Sequence, residues 1–247
     1  MAVKSKSFQA YWSKRFEKRL HKYPYDHSEA LSYSNKRCMG QIHGYILEEI
    51  DVKTKSKILD AGCGLGDLTA KIYSETRKRN FSIYHIDISS ELIKESKKYL
   101  ASELGKLIES CHFLQMDSQY IGFKDNSFDI TLSVEALQYV DPYKTLSQLI
   151  RVTKRGGRVI VCFPNKCNPI IKKAEKRNKK RYEGIDIDYF LYCCKQKKQI
   201  RDVNVTALLL KNDKSEYSYR AVRYNETLFP DISAKSDINR YLVKILL

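Results

Sequence analysis

The chain has 247 residues, of which 43% are hydrophobic and 30% are charged, and its formal net charge is +16. This composition is typical of a globular chain that buries a core, and it excludes an intrinsically disordered one. The sequence contains no apolar run long enough to span a membrane and no secretory signal, so we expect a cytoplasmic protein with reduced cysteines.

The first fifty residues predict helices added ahead of the main fold. The stretches "FQAYWSKRFEKRL" (8–20) and "NKRCMGQIHGYILEEI" (35–50) have helical patterns, and the aromatic stretch "YPYDHSEALSY" (23–33) lies between them. We expect residues 1–50 to form a helical cap over the mouth of a binding site. Ordinary core packing of the aromatic side chains is the alternative.

After residue 50, short apolar runs alternate with amphipathic helical stretches. This alternation is typical of an α/β fold in which a parallel sheet is covered by helices on both faces. The best delimited helix is Tyr143–Lys154, since Asp141 can cap it, Pro142 fits its first turn and the glycine pair 156–157 can end it. The predicted strands are Ile58–Ala61, Phe81–Ile86, Cys111–Met116, Phe128–Leu132 and Arg158–Phe163.

The remainder of the chain breaks this alternation. A long basic stretch occupies residues 166–201, and "VNVTALLLK", "NDKS" and "EYSYRAVRY" (203–224) then read as two strands joined in an antiparallel hairpin. Five strands and a hairpin predict a seven-stranded, mostly parallel sheet. We therefore expect a single domain with a core at 51–165, a basic insert at 166–201, and a terminal hairpin and tail at 202–247.

A glycine-rich turn directly follows the first predicted strand, with glycines at positions 62, 64 and 66. A strand that ends in glycines and opens a helix lets the backbone approach a nucleotide at the carboxyl edge of a sheet. The spacing differs from the dinucleotide fingerprint, and the flanking carboxylates of Asp60 and Asp67 would repel a pyrophosphate. The turn therefore favours a nucleoside ligand that carries positive charge.

Two further acids end the second and third predicted strands. Asp87 follows Gly66 by 21 residues, where an acidic side chain can accept hydrogen bonds from ribose hydroxyls; capping of the next helix is the alternative. Asp117 can accept from the amino group of an adenine while Met116 or Ile88 packs on the ring. For Asp117 an ordinary turn role is the alternative.

Four motifs now point to a family: "ILDAGCGLGDLT", "HIDIS", "QMDSQYIGFKDNSFDITLSVEALQYVDP" and "RGGRVIVCFPN". Over residues 40–165 they resemble, in order and spacing, the class I S-adenosylmethionine-dependent methyltransferases, in particular the branch that methylates small molecules. The resemblance implies a Rossmann-like sheet with a reversed terminal strand, S-adenosylmethionine as cofactor and no metal. It implies that Asp60, Gly62 and Gly64 contact the methionine moiety, Asp87 the ribose and Asp117 the adenine, that Ser133 and Glu135 lie beside the sulfonium, and that Cys63, Ile88, Met116 and Ser118 complete the cofactor-binding set.

Methylation of an amine or hydroxyl also needs a base that takes up the proton of the nucleophile. The candidates are His27, His43, Glu135 and Tyr139, and we rank His27 and Tyr139 first as catalytic residues; a structural role is the alternative for each. Members of the branch often have histidine where this chain has Gln138 or Tyr139. The sequence leaves the identity of the base open.

The competing functional hypotheses differ mainly in the molecule that accepts the methyl group. Methyl transfer to a small molecule is the first hypothesis, and the basic insert at 166–201 favours an anionic acceptor. Methylation of RNA or another macromolecule through the basic surface is the alternative, although the fourth strand ends in "SVEA" and not in the N-P-P-Y type of sequence used for amino groups of bases. A protein that retains the cofactor fold without this chemistry is a third hypothesis.

Overall fold

The computed structural model describes residues 36–53, 55–76, 80–177, 183–213, 216–224, 235 and 237–247. The predicted helix at 8–20, the aromatic stretch at 23–33 and the candidate base His27 lie outside these ranges. The second predicted N-terminal helix is described, and it spans nearly the expected residues.

Helices and strands alternate along the described chain much as the sequence predicts, and all five apolar runs are strands. Two short 3-10 helices, Gly105–Ser110 and Leu137–Tyr139, separate some of these elements. In chain order the elements are α1 (Lys36–Glu49), β1 (Lys57–Ala61), α2 (Asp67–Glu75), β2 (Ser82–Asp87), α3 (Ser90–Leu104), β3 (Cys111–Gln115), β4 (Phe128–Val134), α4 (Pro142–Val152), β5 (Thr153–Pro164), α5 (Pro169–Arg177), α6 (Ile187–Lys195), β6 (Asp202–Asp213), β7 (Glu216–Arg223) and β8 (Ile238–Leu246).

The strands form one mixed sheet in the order β3-β2-β1-β4-β5-β8-β6-β7. Strands β1 to β5 run parallel, β8 lies antiparallel between β5 and β6, and β6 and β7 form the predicted antiparallel hairpin. The strand order changes direction between β1 and β4, where open α/β sheets bind ligands beyond the carboxyl ends of their strands.

The fold class and the hairpin are confirmed, but the count of seven strands is one short. The last residues, predicted to be a tail, form β8, the reversed strand that the resemblance implies. Because β8 lies next to β5, the hairpin occupies the last two positions of the sheet, and β7 is the edge strand.

Hydrophobic side chains alternate between two cores, one on each face of the sheet. In β1, Ile58 packs in the core that includes Ile72 of α2, whereas Leu59 packs in the core that includes Leu149 of α4 and Phe190 of α6. Successive residues of a strand point to opposite faces, which explains the division. Burying a side chain of this size stabilises the fold by roughly 1.5–3 kcal/mol relative to leaving it exposed. Helices on both faces are therefore confirmed.

Helix α4 begins as predicted and ends two residues early. Asp141 Oδ1 accepts hydrogen bonds from the first two backbone amides of the helix, at 3.0 Å each. The helix stops at Val152 because Thr153 is extended and its Oγ1 donates to the carbonyl oxygen of Leu149 at 2.7 Å. The glycine pair 156–157, predicted to end the helix, lies inside β5.

The predicted basic insert contains helices α5 and α6, while residues 178–182 lie outside the described ranges. Among the described helices none combines the length and the apolar character that crossing a membrane requires.

Candidate active site

The glycine turn folds back over the end of β2. The backbone amides of Gly62 and Cys63 both donate to the carbonyl oxygen of Ile86, at 2.8 and 3.2 Å, and Gly66 N donates to Cys63 O at 3.0 Å. These bonds fix the turn at the carboxyl edge of the sheet, between the end of β1 and the start of α2.

The three glycines of the turn have positive φ angles of +80°, +56° and +89°, but they meet different surroundings. A Cβ on Gly62 would lie 2.4 Å from Ala136 Cβ, and one on Gly66 would lie 2.7 Å from Leu100 Cδ1. A Cβ on Gly64 would have no heavy atom within 4 Å. Two glycines are therefore needed for close packing, and Gly64 leaves open space in which a ligand can approach the backbone.

Asp60, just before the turn, is 2% exposed, and its Oδ2 accepts no hydrogen bond from the described residues. Burial and, second, the neighbouring charge of Asp87 raise the pKa of Asp60 to about 7. A buried carboxylate without a partner is unfavourable, so this atom suits a ligand that brings a cationic donor. The ammonium group of a methionine moiety meets that requirement.

Asp87 connects the glycine turn to the next helix. Its Oδ2 accepts from Gly64 N at 3.3 Å and its Oδ1 accepts from Ser89 N at 3.0 Å. Burial raises the pKa of Asp87 to about 6, and the backbone hydrogen bonds oppose that rise. Because Ser89 caps α3, accepting from Leu92 N at 3.2 Å, the alternative role of Asp87 as the helix cap is wrong. Each carboxylate oxygen has a second lone pair with which it can accept from another donor, such as a ribose hydroxyl.

Met116 and Ile88 lie together at the ends of β3 and β2. Met116 N donates to the carbonyl oxygen of Asp87 at 2.9 Å, and Gln115 Nε2 donates to that of Ile88 at 3.1 Å. Two apolar residues therefore lie next to Asp87 at the same edge, and packing of a planar ring on them stays a prediction.

Asp117 and Ser118 continue this edge in the loop after β3. Asp117 Oδ1 accepts from Gln119 N at 2.9 Å, which is the side-chain turn that the alternative interpretation describes. Ser118 Oγ lies 3.5 Å from Thr145 Oγ1 of α4. The turn role of Asp117 is thus present, and its role toward adenine stays a prediction.

Ser133 and Glu135 lie at the end of β4, beside the glycine turn. Ser133 Oγ donates to the carbonyl oxygen of Ala61 at 3.0 Å. Glu135 Oε1 lies 2.7 Å from Arg240 Nε of β8, and both side chains are largely buried. The carboxylate of Glu135 is thus already engaged by a cation of β8, and a role for Glu135 as a base stays a prediction.

Arg240 is the site residue that the sequence analysis missed. It stands in the run "INRYLVKIL", whose apolar neighbours bury it as β8. A buried arginine needs an anionic partner, so a basic residue within this mostly apolar run was a signal that could have indicated one. The sequence did not indicate which carboxylate, because Glu135 is more than 100 residues away along the chain.

The structure separates the remaining base candidates. His43 is buried in α1, which packs against α2 and β7, and burial together with Lys71 lowers its pKa to about 4. Tyr139 is half-buried at the end of the 3-10 helix, and its amide donates to Ala136 O at 3.1 Å, directly after Glu135. Tyr139 therefore lies in the segment beside the glycine turn, whereas His43 lies on the buried side of α1.

Comparison with known proteins agrees with this geometry. The model of the Methyltransferase domain family matches residues 52–220. The chain is 28% identical over 206 residues to malonyl-[acyl-carrier protein] O-methyltransferase of Buchnera aphidicola, covering 79% of this chain and 77% of the relative. It is 30% identical over 156 residues to the ubiquinone/menaquinone biosynthesis C-methyltransferase UbiE of Teredinibacter turnerae, covering 60% of this chain and 61% of the relative.

Further UbiE relatives are matched over about half to three fifths of their length. A crystal structure of an S-adenosylmethionine-dependent methyltransferase of Thermotoga maritima, described as a possible histamine N-methyltransferase, superposes with a TM-score of 0.60. It is 14% identical and covers 95% of this chain and 98% of its own, so it supports the fold alone. The family match spans more than half of the residues, and the chain therefore belongs to the Methyltransferase domain family as an S-adenosylmethionine-dependent methyltransferase.

Proposed function

We propose that this chain transfers the methyl group of S-adenosylmethionine to a small-molecule acceptor by in-line displacement. The observation that carries the proposal is the buried Oδ2 of Asp60, which accepts no hydrogen bond from the described residues, beside a turn whose Gly64 faces open space. The name of one relative, a C-methyltransferase of ubiquinone and menaquinone biosynthesis, supports a small acceptor, and that of another names a malonyl group on acyl-carrier protein.

Each predicted residue has a distinct binding task. Asp60 accepts from the ammonium group, Gly62 and Gly64 keep the backbone close, and Asp87 accepts from the ribose hydroxyls. When bound, the cofactor supplies a methyl group already activated on a positively charged sulfur. The chain then has to align the acceptor and exclude water. Asp117 is assigned to the adenine, and the walls of the site are assigned to Cys63, Ile88, Met116, Ser118, Ser133, Glu135 and Tyr139.

The charge of the segment after β5 supports the proposal of an anionic acceptor. Lys172, Lys173 and Lys176 of α5 are exposed, and α5 begins five residues beyond the carboxyl end of β5. Clustered cations raise the local concentration of an anion and speed its capture. Carboxylates and phosphates are the acceptor classes that this surface would collect.

Methyl transfer can be tested with tritium-labelled S-adenosylmethionine and a panel of small carboxylates, phenols, amines and total RNA. We expect label in a small product that separates from acid-precipitable material. Label confined to the precipitate would contradict a small-molecule acceptor, and no transfer to any acceptor class would argue against the proposed reaction.

A surface on α6 favours RNA as the second candidate acceptor. Tyr189 and Tyr192 are 52% and 57% exposed, and their rings are nearly parallel, with centroids 6.1 Å apart. Lys195 and Lys198 are exposed at the end of the same helix and just after it. Aromatic faces beside cations suit unpaired bases and phosphates. Filter binding of single-stranded RNA at two salt concentrations would show tight, salt-sensitive retention if this candidate is correct.

A further inference from the structure

Glu135 has an unusual backbone conformation at the end of β4. Its φ is +54°, in the left-handed region that side chains other than glycine rarely adopt. Its amide donates to Cys162 O at 2.9 Å, and its carbonyl oxygen accepts from Gln138 Nε2 at 2.8 Å. Conformations of this kind persist where the surroundings enforce them, and they concentrate at functional sites.

The ion pair with Arg240 is a further restraint on Glu135. The two side chains are 15% and 9% exposed, and Oε1 and Nε are 2.7 Å apart. Arg240 is itself oriented by Asn239, since Nη1 donates to the backbone oxygen of Asn239 at 3.3 Å and to its Oδ1. Tyr219 Oη also donates to Asn239 Oδ1, at 2.9 Å, so a polar network through β7 and β8 fixes the guanidinium.

This pair lies beside the predicted methionine end of the site. Ala136, the residue after Glu135, is the residue that a Cβ on Gly62 would meet, and Ser133 Oγ donates to the carbonyl oxygen of Ala61, the residue before Gly62. Glu135 thus lies between two residues that contact the glycine turn, and its carboxylate extends from there to Arg240 of β8. Arg240 cancels the charge of this carboxylate locally, because the two groups form a buried pair.

We propose that Arg240 is a positioning residue of the methyltransferase site, which holds Glu135 in its left-handed conformation and sets the charge balance at the sulfonium end of the cofactor. The inference rests on the proposed function, in which Glu135 lies beside the sulfonium. With the pair intact, the two side chains contribute no net charge there. Removal of either partner leaves one uncompensated charge next to the sulfur.

The ratio of two dissociation constants isolates this effect. S-adenosylmethionine carries a sulfonium, whereas S-adenosylhomocysteine carries a neutral thioether with the same ammonium, ribose and adenine. A general loss of fold or of cofactor contacts weakens both ligands and cancels in the ratio. Isothermal titration of both ligands at about pH 8 keeps a freed carboxylate ionised.

The variants have opposite expected results. Arg240→Gln should shift the ratio about threefold to tenfold toward S-adenosylmethionine, since a lone carboxylate attracts the sulfonium, and Glu135→Gln should shift it toward S-adenosylhomocysteine by a similar factor. Arg240→Lys should restore a ratio close to wild type. Lys244→Gln is the matched control, because Lys244 of the same strand pairs with Glu49 of α1.

Unchanged ratios in both Arg240→Gln and Glu135→Gln, with wild type binding both ligands, would overturn the role of Arg240. If Arg240→Gln does not fold, the ratio of dissociation constants measured for Glu135→Gln alone tests the proposal, and an unchanged ratio overturns it. Failure of the wild-type chain to bind either ligand would instead contradict the proposed function.

Discussion

Gly64 N donates a hydrogen bond to Asp87 Oδ2 over 3.3 Å, and this contact joins the glycine turn after β1 to the end of β2. Gly64, which has open space at its Cβ position, and Asp87, which we predict to bind the ribose, are thus neighbours. The amide satisfies only part of the carboxylate, which leaves acceptor positions for the two hydroxyls of a ribose.

Replacement of Asp87 tests the ribose role. In Asp87→Asn we expect binding of S-adenosylhomocysteine to weaken by about tenfold to several hundredfold, because charge-assisted hydrogen bonds contribute roughly 1.5–3 kcal/mol each. At about pH 4, below the raised pKa of Asp87, the melting temperature should stay near that of wild type, since Ser89 provides the cap of α3. Asp129→Asn is the matched control, because Asp129 lies at the amino end of β4 and pairs with Lys154. Normal affinity in Asp87→Asn would remove Asp87 from the site.

Asp60 should destabilise the ligand-free protein at high pH. Its pKa is raised from 3.8 to about 7 in the folded state, so its contribution to stability is present below pH 4 and is lost as the pH rises through 7. Asp60→Asn removes this titration, and we expect its melting temperature to exceed that of wild type at pH 8 and to approach it at pH 4. Each kcal/mol corresponds to about 2–4 °C. Thermal denaturation at the two pH values measures the difference, and an equal or lower melting temperature at pH 8 would contradict the prediction.

A comparison of alanine variants at Gly64 and Gly156 distinguishes the loss of a ligand contact from the cost of backbone strain. Both have positive φ angles and open space at the Cβ position, but Gly156 lies in β5 at the opposite end of the strand from the site. Each change to alanine should cost roughly 1 kcal/mol of stability. Only Gly64→Ala should also weaken cofactor binding, by about tenfold or more, because the methyl group occupies ligand space. Equal affinities of the two variants would mean that the turn is structural only.

The cations of α5 should steer an anionic acceptor. Reversal of Lys172, Lys173 and Lys176 to glutamate should raise the apparent KM about threefold or more at low salt and much less at high salt, because salt screens exposed charges. Reversal of three exposed lysines around β1, at positions 53, 55 and 57, provides the control at the amino edge of the sheet. The steering role fails if KM does not change at any ionic strength.

The sequence predicted the sheet well because its parallel strands are continuous apolar runs. Such runs follow from burial on both faces, and the turn after β1 carries its signal in the glycines themselves. The sequence did not predict β8 as a strand, because Ile238–Leu246 pairs with β5, some eighty residues earlier, and with β6. An apolar run shows that a segment is buried, but it does not identify the partner strand.

The sequence predicted only those site residues whose positions depend on the parallel strands. Asp60, Gly64 and Asp87 stand at strand ends, where parallel topology alone brings them together. The pair Glu135–Arg240 depends on a reversed strand that inserts beside β5, so no local pattern predicts it. His43 matched a base by residue type only, and its burial in α1 depends on packing that the sequence does not specify.

Isothermal titration of the wild-type chain with S-adenosylhomocysteine and with NAD tests the central claim most directly. The carboxylate of Asp60 attracts a ligand with an ammonium group and repels a pyrophosphate, whereas Asp87 can accept from the ribose of either ligand. We therefore predict saturable binding of one S-adenosylhomocysteine per chain and no measurable binding of NAD. Saturable binding of NAD with none of S-adenosylhomocysteine would contradict the account.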